Sequence, residues 1–202
     1  GVTTGLYSEP SSGLGLSASA QLLKTEGKEG AKTTDGTIRL GLHAEGHLNI
    51  PSDDTSDGGS DYLGVRHLPN NAEGSGLGAL TEGWGVADST SGVTGYVSRS
   101  GGVQNVSAVS QTVTASTAVL VTQVGNKFRV THDFHPSVTP NLYEATVTIK
   151  NISGSTTNLR YRRVVDWAVE PTSGSEFVTV TFPPVAKGIF PKSLPAPLSV
   201  SP

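Results

Sequence analysis

At 202 residues, with a net charge of −3 and neither cysteine nor methionine, the chain has room for one large β domain or two small ones. The slightly acidic balance removes the electrostatic case for nucleic acid or an anionic membrane as partner, and the lack of cysteine excludes disulfides, thiolate zinc sites and cysteine nucleophiles. Only 35% of residues are hydrophobic and 15% charged, while 25 are glycine, a mixture that suits short strands joined by turns and not helices.

Residues 1–36 read as an extended N-terminal segment rich in Gly, Ser and Thr, with Lys24, Glu26, Lys28, Glu29 and Lys32 clustered in its second half. Residues 17–23 read as a short strand or a helical turn, with the loose alternation favouring the strand. The turn signal Asp35-Gly36 precedes 37–43, where Ile38, Leu40 and Leu42 share a face. Gly41 inside that run marks a bulge or a close backbone approach. Residues 47–50 extend the strand region, and 51–78 read as a long surface loop. Short strands are expected at 84–86, 95–98, 103–109, 112–115 and 118–124, separated mostly by Gly, Ser, Asn or Asp. Turns at such spacing are the mark of a sandwich or barrel. No apolar run approaches the roughly 18 residues needed to cross a bilayer.

The clearest alternation lies within 128–167. Tyr143, Ala145, Val147 and Ile149 face one way, and Glu144, Thr146, Thr148 and Lys150 the other. Turn residues fill 151–158. A second run sets Leu159, Tyr161, Arg163, Val165 and Trp167 against Arg160, Arg162, Val164 and Asp166, which predicts an antiparallel pair of strands across that turn. Residues 177–182 form a further strand. From Pro183-Pro184 onward, Pro191, Pro195, Pro197 and Pro202 predict a tail at 183–202 that is extended and without ladder donors. The expected fold is all-β: one antiparallel β-sandwich over 37–182, with extended N- and C-terminal segments. Its core is expected from the apolar faces of 128–134, 143–149, 159–167 and 177–182.

Candidate sites are few. Asp53, Thr55, Asp57-Gly58 and Asp61 follow the early positions of a calcium loop, but Gly64 stands where its bidentate Glu belongs. Asp53, Asp54, Asp57 and Asp61 are the candidate calcium ligands; a solvated polar loop is the simpler reading. His43 and His47 have the outer spacing of a zinc-protease helix, yet Glu45 is misplaced and Gly46 weakens a helix. His132 and His135 fall on opposite faces of a strand, so no histidine is assigned to a metal. Arg160 and Arg162, with Asp166, are expected to form a cross-strand charge ladder opposite Glu144 or Asp133, the functional alternative being a site for a carboxylate or sugar acid. No serine nucleophile frame and no phosphate loop occurs. Trp84, Tyr96, Tyr143, Tyr161 and Trp167 can stack on sugars, but most are needed as core, and Trp167 in particular is expected buried. Asn105-Val-Ser107 and Asn151-Ile-Ser153 match the glycosylation sequon and read equally as turns.

Four strings carry a resemblance: Glu82-Gly-Trp-Gly-Val-Ala-Asp88, Arg129-Val-Thr-His-Asp-Phe-His-Pro136, Asn141-Leu-Tyr-Glu144, and Arg160-Tyr-Arg-Arg-Val-Val-Asp-Trp167 with Glu170-Pro171. In this order they resemble a group of secreted bacterial proteins, often marked for surface sorting by a C-terminal PEP-type signal. The resemblance implies an exported all-β domain and carries over no catalytic residue. After Phe182 the chain departs from that pattern and lacks the sorting signal, which reads as a truncated or free-standing version. The expectation is a non-catalytic extracellular structural or adhesive protein, self-assembling by strand or arm exchange into a homo-oligomer or filament. The alternative is a carbohydrate-binding module, with calcium held by the 51–78 loop. A third reading, a glycan-active hydrolase, would need a carboxylate pair among Asp133, Glu144, Asp166 and Glu170.

Overall fold

Strands with one dry and one wet face must stack dry face to dry face, and this requirement sets the architecture. The computed structural model describes residues 2–7, 21–25, 28–52, 62–75, 82–138, 142–167, 177–182 and 186–191. In chain order the strands are β1 (Val2–Tyr7), β2 (Gln21–Thr25), β3 (Lys28–Thr34), β4 (Ile38–His43), β5 (Ile50–Pro51), β6 (Tyr62–Leu63), β7 (Val65–His67), β8 (Ala72–Glu73) and β9 (Gly83–Asp88). Then come β10 (Thr94–Ser98), β11 (Gly102–Gln104), β12 (Val106–Val113), β13 (Ala118–Val124), β14 (Phe128–Pro136), β15 (Leu142–Asn151), β16 (Leu159–Val164), β17 (Phe177–Phe182) and β18 (Ala186–Pro191). Every pairing is antiparallel, and the only helix among the described residues is a 3-10 turn at Leu68–Asn70.

A five-stranded sheet in the order β1-β15-β14-β13-β12 forms the platform. Two sheets cover its inner face: β2-β3-β4-β7-β8 over one half and β11-β10-β9-β16 over the other. In the first half, Ile38, Leu40, Leu42, Leu48 and Val65 meet Ala118, Leu120, Phe134, Tyr143 and Ala145 of the platform. In the second, Trp84, Val86 and Val97 meet Val124, Phe128, Val130 and Val147. Burying one such aliphatic or aromatic side chain is worth about 1.5–3 kcal/mol, so these two clusters dominate the favourable energy. The fold is therefore an all-β sandwich, and the dry faces of 38–42, 128–134 and 143–147 are the ones the alternation marks. The side chains of 177–182 lie outside the described residues; the strand itself pairs with β18.

Three expectations are corrected. First, the runs at 143–149 and 159–167 are not a hairpin. β15 is paired on both sides, by β14 through nine matched residues and by β1, so it has no free edge for β16. β16 instead completes β9 in the covering layer, and 152–158 cross from one layer to the other. Second, the 51–78 stretch is not all surface loop. Residues 62–75 are structured, Leu63 and Val65 are core, and Arg66 and Glu73 are buried as an ion pair at 3.3 Å. Glu73 also accepts the N–H groups of Gly64, Val65 and Ser75, which satisfies a charge that burial would otherwise make costly. Gly41 gives the close approach its sequence context implies: its N–H donates to Gly64 O at 3.0 Å, and a Cβ there would strike Leu63 O. Third, the tail is not without ladder structure, since β18 is a strand of six residues.

Candidate functional site

The inner row of the platform changes from apolar to polar midway. Thr122 and His132, both fully buried, lie between the two apolar clusters, beneath the seam where the covering sheets meet. Sheet edges that meet in a dry interior leave backbone groups to satisfy. The turn 43–47 after β4 supplies the problem, and Glu82 just before β9, Trp84 in β9 and Arg163 in β16 supply the answer. Leu48 N–H donates to Glu82 Oε2 at 2.5 Å, Trp84 Nε1 donates to Glu45 O at 2.8 Å, and Arg163 Nη1 donates to Gly46 O at 3.2 Å. Glu82 and Arg163 are in ion-pair contact at 2.5 Å, though Nη2 and Oε1 are not aligned as a hydrogen bond. His132 Nε2 lies 3.2 Å from the Tyr161 hydroxyl, and its ring packs 4.8 Å from that of Trp84. Gly46 has φ +85°, and a Cβ there would come within 2.7 Å of His132 Nδ1, so only glycine fits the turn against the platform.

Burial governs the protonation of this centre. Desolvation, aided by the His43, Arg163 and Arg99 charges, lowers the His47 pKa from 6.5 to about 2. Desolvation and then Arg163 also hold His132 well below its usual value. The Glu82 carboxyl is pushed up by burial and pulled back by the Arg163 guanidinium. With Glu82 1% and His132 0% exposed, these groups touch no diffusing molecule. They clamp the two covering sheets together.

The sequence candidates fall as follows. Asp53, Asp54, Asp57 and Asp61 lie outside the described residues, as does Glu170. His43 and His47 meet across a tight turn and not along a strand: His43 N–H donates to His47 O at 2.8 Å, and the rings stack at 4.0 Å. Among the described residues no group of three or more His, Cys, Asp or Glu is placed to hold a metal ion. The charge ladder is absent, because Arg160 and Arg162 stand opposite Ala87 and Gly85 of β9 and not opposite Glu144 or Asp133. Arg163, on the dry face of its strand, was the informative arginine. A charge at an inward position signals a buried counter-charge, and Glu82 is that partner. Asp133 and Glu144 share the outer face of the platform on paired strands, one step apart in register, whereas Asp166 follows β16 in the other layer. Trp84 and Tyr143 are core, Tyr96 is 42% exposed, and Trp167 is half-buried. Asn105 and Asn151 act as turn residues, donating to Thr94 O and Ser155 O at 2.6 Å each.

Among the described residues, the surfaces open to a partner include the edge of β12 and the outer face of β9, β10 and β16. Among the described residues β12 pairs only with β13; it is broken by a bulge between Ala108 and Ser110 and exposes Ser107, Ala108, Val109, Ser110 and Thr112. No helix among the described residues is long and apolar enough to cross a membrane. No protein family, curated protein or solved structure matches the chain.

Proposed function

We propose that this chain is a non-catalytic structural or adhesive β-sandwich of the cell exterior that assembles with copies of itself through the edge of β12. The observation that carries this reading is the edge itself: eight residues, VSAVSQTV, with no charge and no proline. An open strand edge offers unpaired N–H and C=O groups to any other chain, and proteins that must stay apart guard it with lysine, proline or inward charges. Here one bulge is the only such device. The opposite edge of the platform is β1, VTTGLY, which is likewise without charge or proline; β12 is the longer of the two edges by two residues and so offers a copy the longer ladder. Two β12 strands side by side in antiparallel sense would be related by a two-fold axis and join two platforms into one continuous sheet. The exterior location rests on the resemblance carried by 82–88, 129–136, 141–144 and 160–171.

Light scattering after size exclusion, across a dilution series, tests the assembly. The expected result is a mass that doubles with concentration. Placing lysines on the edge (Ala108→Lys with Ser110→Lys) should abolish the doubling and leave the melting temperature unchanged. A mass that stays monomeric throughout, or lysine variants that associate as the parent does, would reject β12 as the interface.

A further inference from the structure

We propose that the outer face of β9 is a binding groove for an acidic glycan. A groove of about 280 Å³ lies there, floored by Gly83 and Gly85 and walled by Tyr96 and Ser98 on one side and Arg162 and Val164 on the other. The register builds it: Tyr96, Gly85 and Arg162 form one cross-strand row, Ser98, Gly83 and Val164 the next, and Thr94, Ala87 and Arg160 a third. Strands lie about 4.8 Å apart, so the Tyr96 and Arg162 backbones stand about 10 Å apart across a floor without side chains. That width admits one flat ring. The groove follows β9 from Gly83 to Gly85, about 7 Å, which accommodates one pyranose ring.

The wall chemistry selects the ligand. Among the described residues none forms an ion pair with Arg160 or Arg162, and both are exposed on the same face of β16. Arg162 is the one charged residue of the lining and sits at the rim of a largely apolar groove, while Arg160 stands in the next row beyond its end. A guanidinium fork takes a sugar carboxylate in two parallel hydrogen bonds. Across the slot the partly exposed Tyr96 ring offers an apolar face to the C–H side of a pyranose. Ser98 Oγ accepts the Gly101 N–H at 2.7 Å, and its own proton is free to meet a sugar hydroxyl. An acidic peptide fits less well. β9 is paired on both sides, so the floor has no backbone donors for an added strand.

Isothermal titration calorimetry with a galacturonate oligomer tests the assignment, with a maltose-series oligomer and an oligoglutamate of equal length as controls. The expected result is salt-sensitive binding of the galacturonate alone. Arg162→Gln and Tyr96→Ala should each weaken it by about tenfold, at unchanged melting temperature because both side chains are exposed. The proposal is overturned by absent binding, by equal binding of the neutral glycan, or by variants that bind like the parent. Oligoglutamate binding as tight as galacturonate would also overturn it, in favour of an acidic-peptide surface.

Discussion

Glu82 and Arg163 show how much depends on single side chains in this fold. Each is almost wholly withdrawn from water, and each answers a backbone group of the 43–48 turn besides its partner. Glu82→Ala would strand the guanidinium and the Leu48 N–H together, and a cost of about 3–5 kcal/mol is expected in urea unfolding. Replacing both, as Glu82→Leu with Arg163→Met, should cost clearly less than the sum of the single changes. A double-mutant cycle that came out additive would refute the clamp. The neighbouring histidines set the response to acid. Unfolded His47 protonates near 6.5 but the folded residue only near 2, and His132 is displaced in the same direction. The unfolded chain therefore binds these protons first, so the stabilisation is full above pH 6.5 and is lost as pH falls below it. Glu82 works in the opposite sense, because a raised carboxyl takes up its proton in the folded state first. Each histidine contributes up to about 1.4 kcal/mol per pH unit to the slope. Urea titrations between about pH 7.5 and about pH 5.5 should show stability falling toward acid, and His47→Gln should flatten the slope.

At the level of elements, the joint between β9 and β16 is held by Asp88. Its carboxylate accepts the Ser91 hydroxyl at 2.6 Å, the Asn158 N–H at 2.8 Å and the Thr90 N–H at 3.0 Å, and meets Lys127 Nζ at 3.0 Å. Lys127 in turn reaches Ser155 Oγ at 3.0 Å, so one ion pair ties the crossing segment 152–158 to both layers. The Ser91 hydroxyl, followed by the Asn158 N–H, Lys127 and the Thr90 N–H, holds the carboxyl well below its usual range, against the desolvation that raises it. With Asp88→Ala, amide hydrogen exchange should accelerate at 89–92 and 153–158 while the β13 and β14 amides keep their protection. Uniform acceleration would mean that the joint is not local. This joint also explains what the sequence concealed. Tyr143, Ala145 and Val147 announce a strand because their neighbours Glu144, Thr146 and Thr148 are polar, and the same rule finds β4, β13 and β14. The partner of β16 is a different matter. Asn151 to Asn158 has the composition of a hairpin turn and of a layer crossing alike, and the pairing of Arg162 with Gly85 spans a distance in sequence that no local pattern records. Arg66 and Glu73 misled for a related reason: polarity placed 62–75 in solvent, whereas the two charges neutralise each other inside. The polar seam draws on 43–48, 82–84, 132 and 161–163, and only Arg163 on a dry face hinted at it.

Over the whole molecule, the two apolar clusters share one platform. β13 carries Leu120 into the first and Val124 into the second, β14 carries Phe134 and Phe128 in the same way, and β15 carries Ala145 and Val147. A strand that melts in one half removes the floor of the other. Unfolding should therefore be a single transition, although the covering layer is divided into two sheets. The tryptophans are placed to decide this, since Trp84 belongs to the second cluster and Trp167 packs on the first. Trp167→Phe leaves a reporter of one half, and a separately made Trp84→Phe leaves a reporter of the other. Leu120→Ala opens a cavity in the first cluster and should cost about 2–5 kcal/mol. If the platform couples the halves, that cavity lowers the urea midpoint seen by Trp84 as much as the midpoint seen by Trp167. A Trp84 signal that ignored the Leu120 cavity would mean that the halves unfold independently, with the polar seam as a boundary and not a clamp.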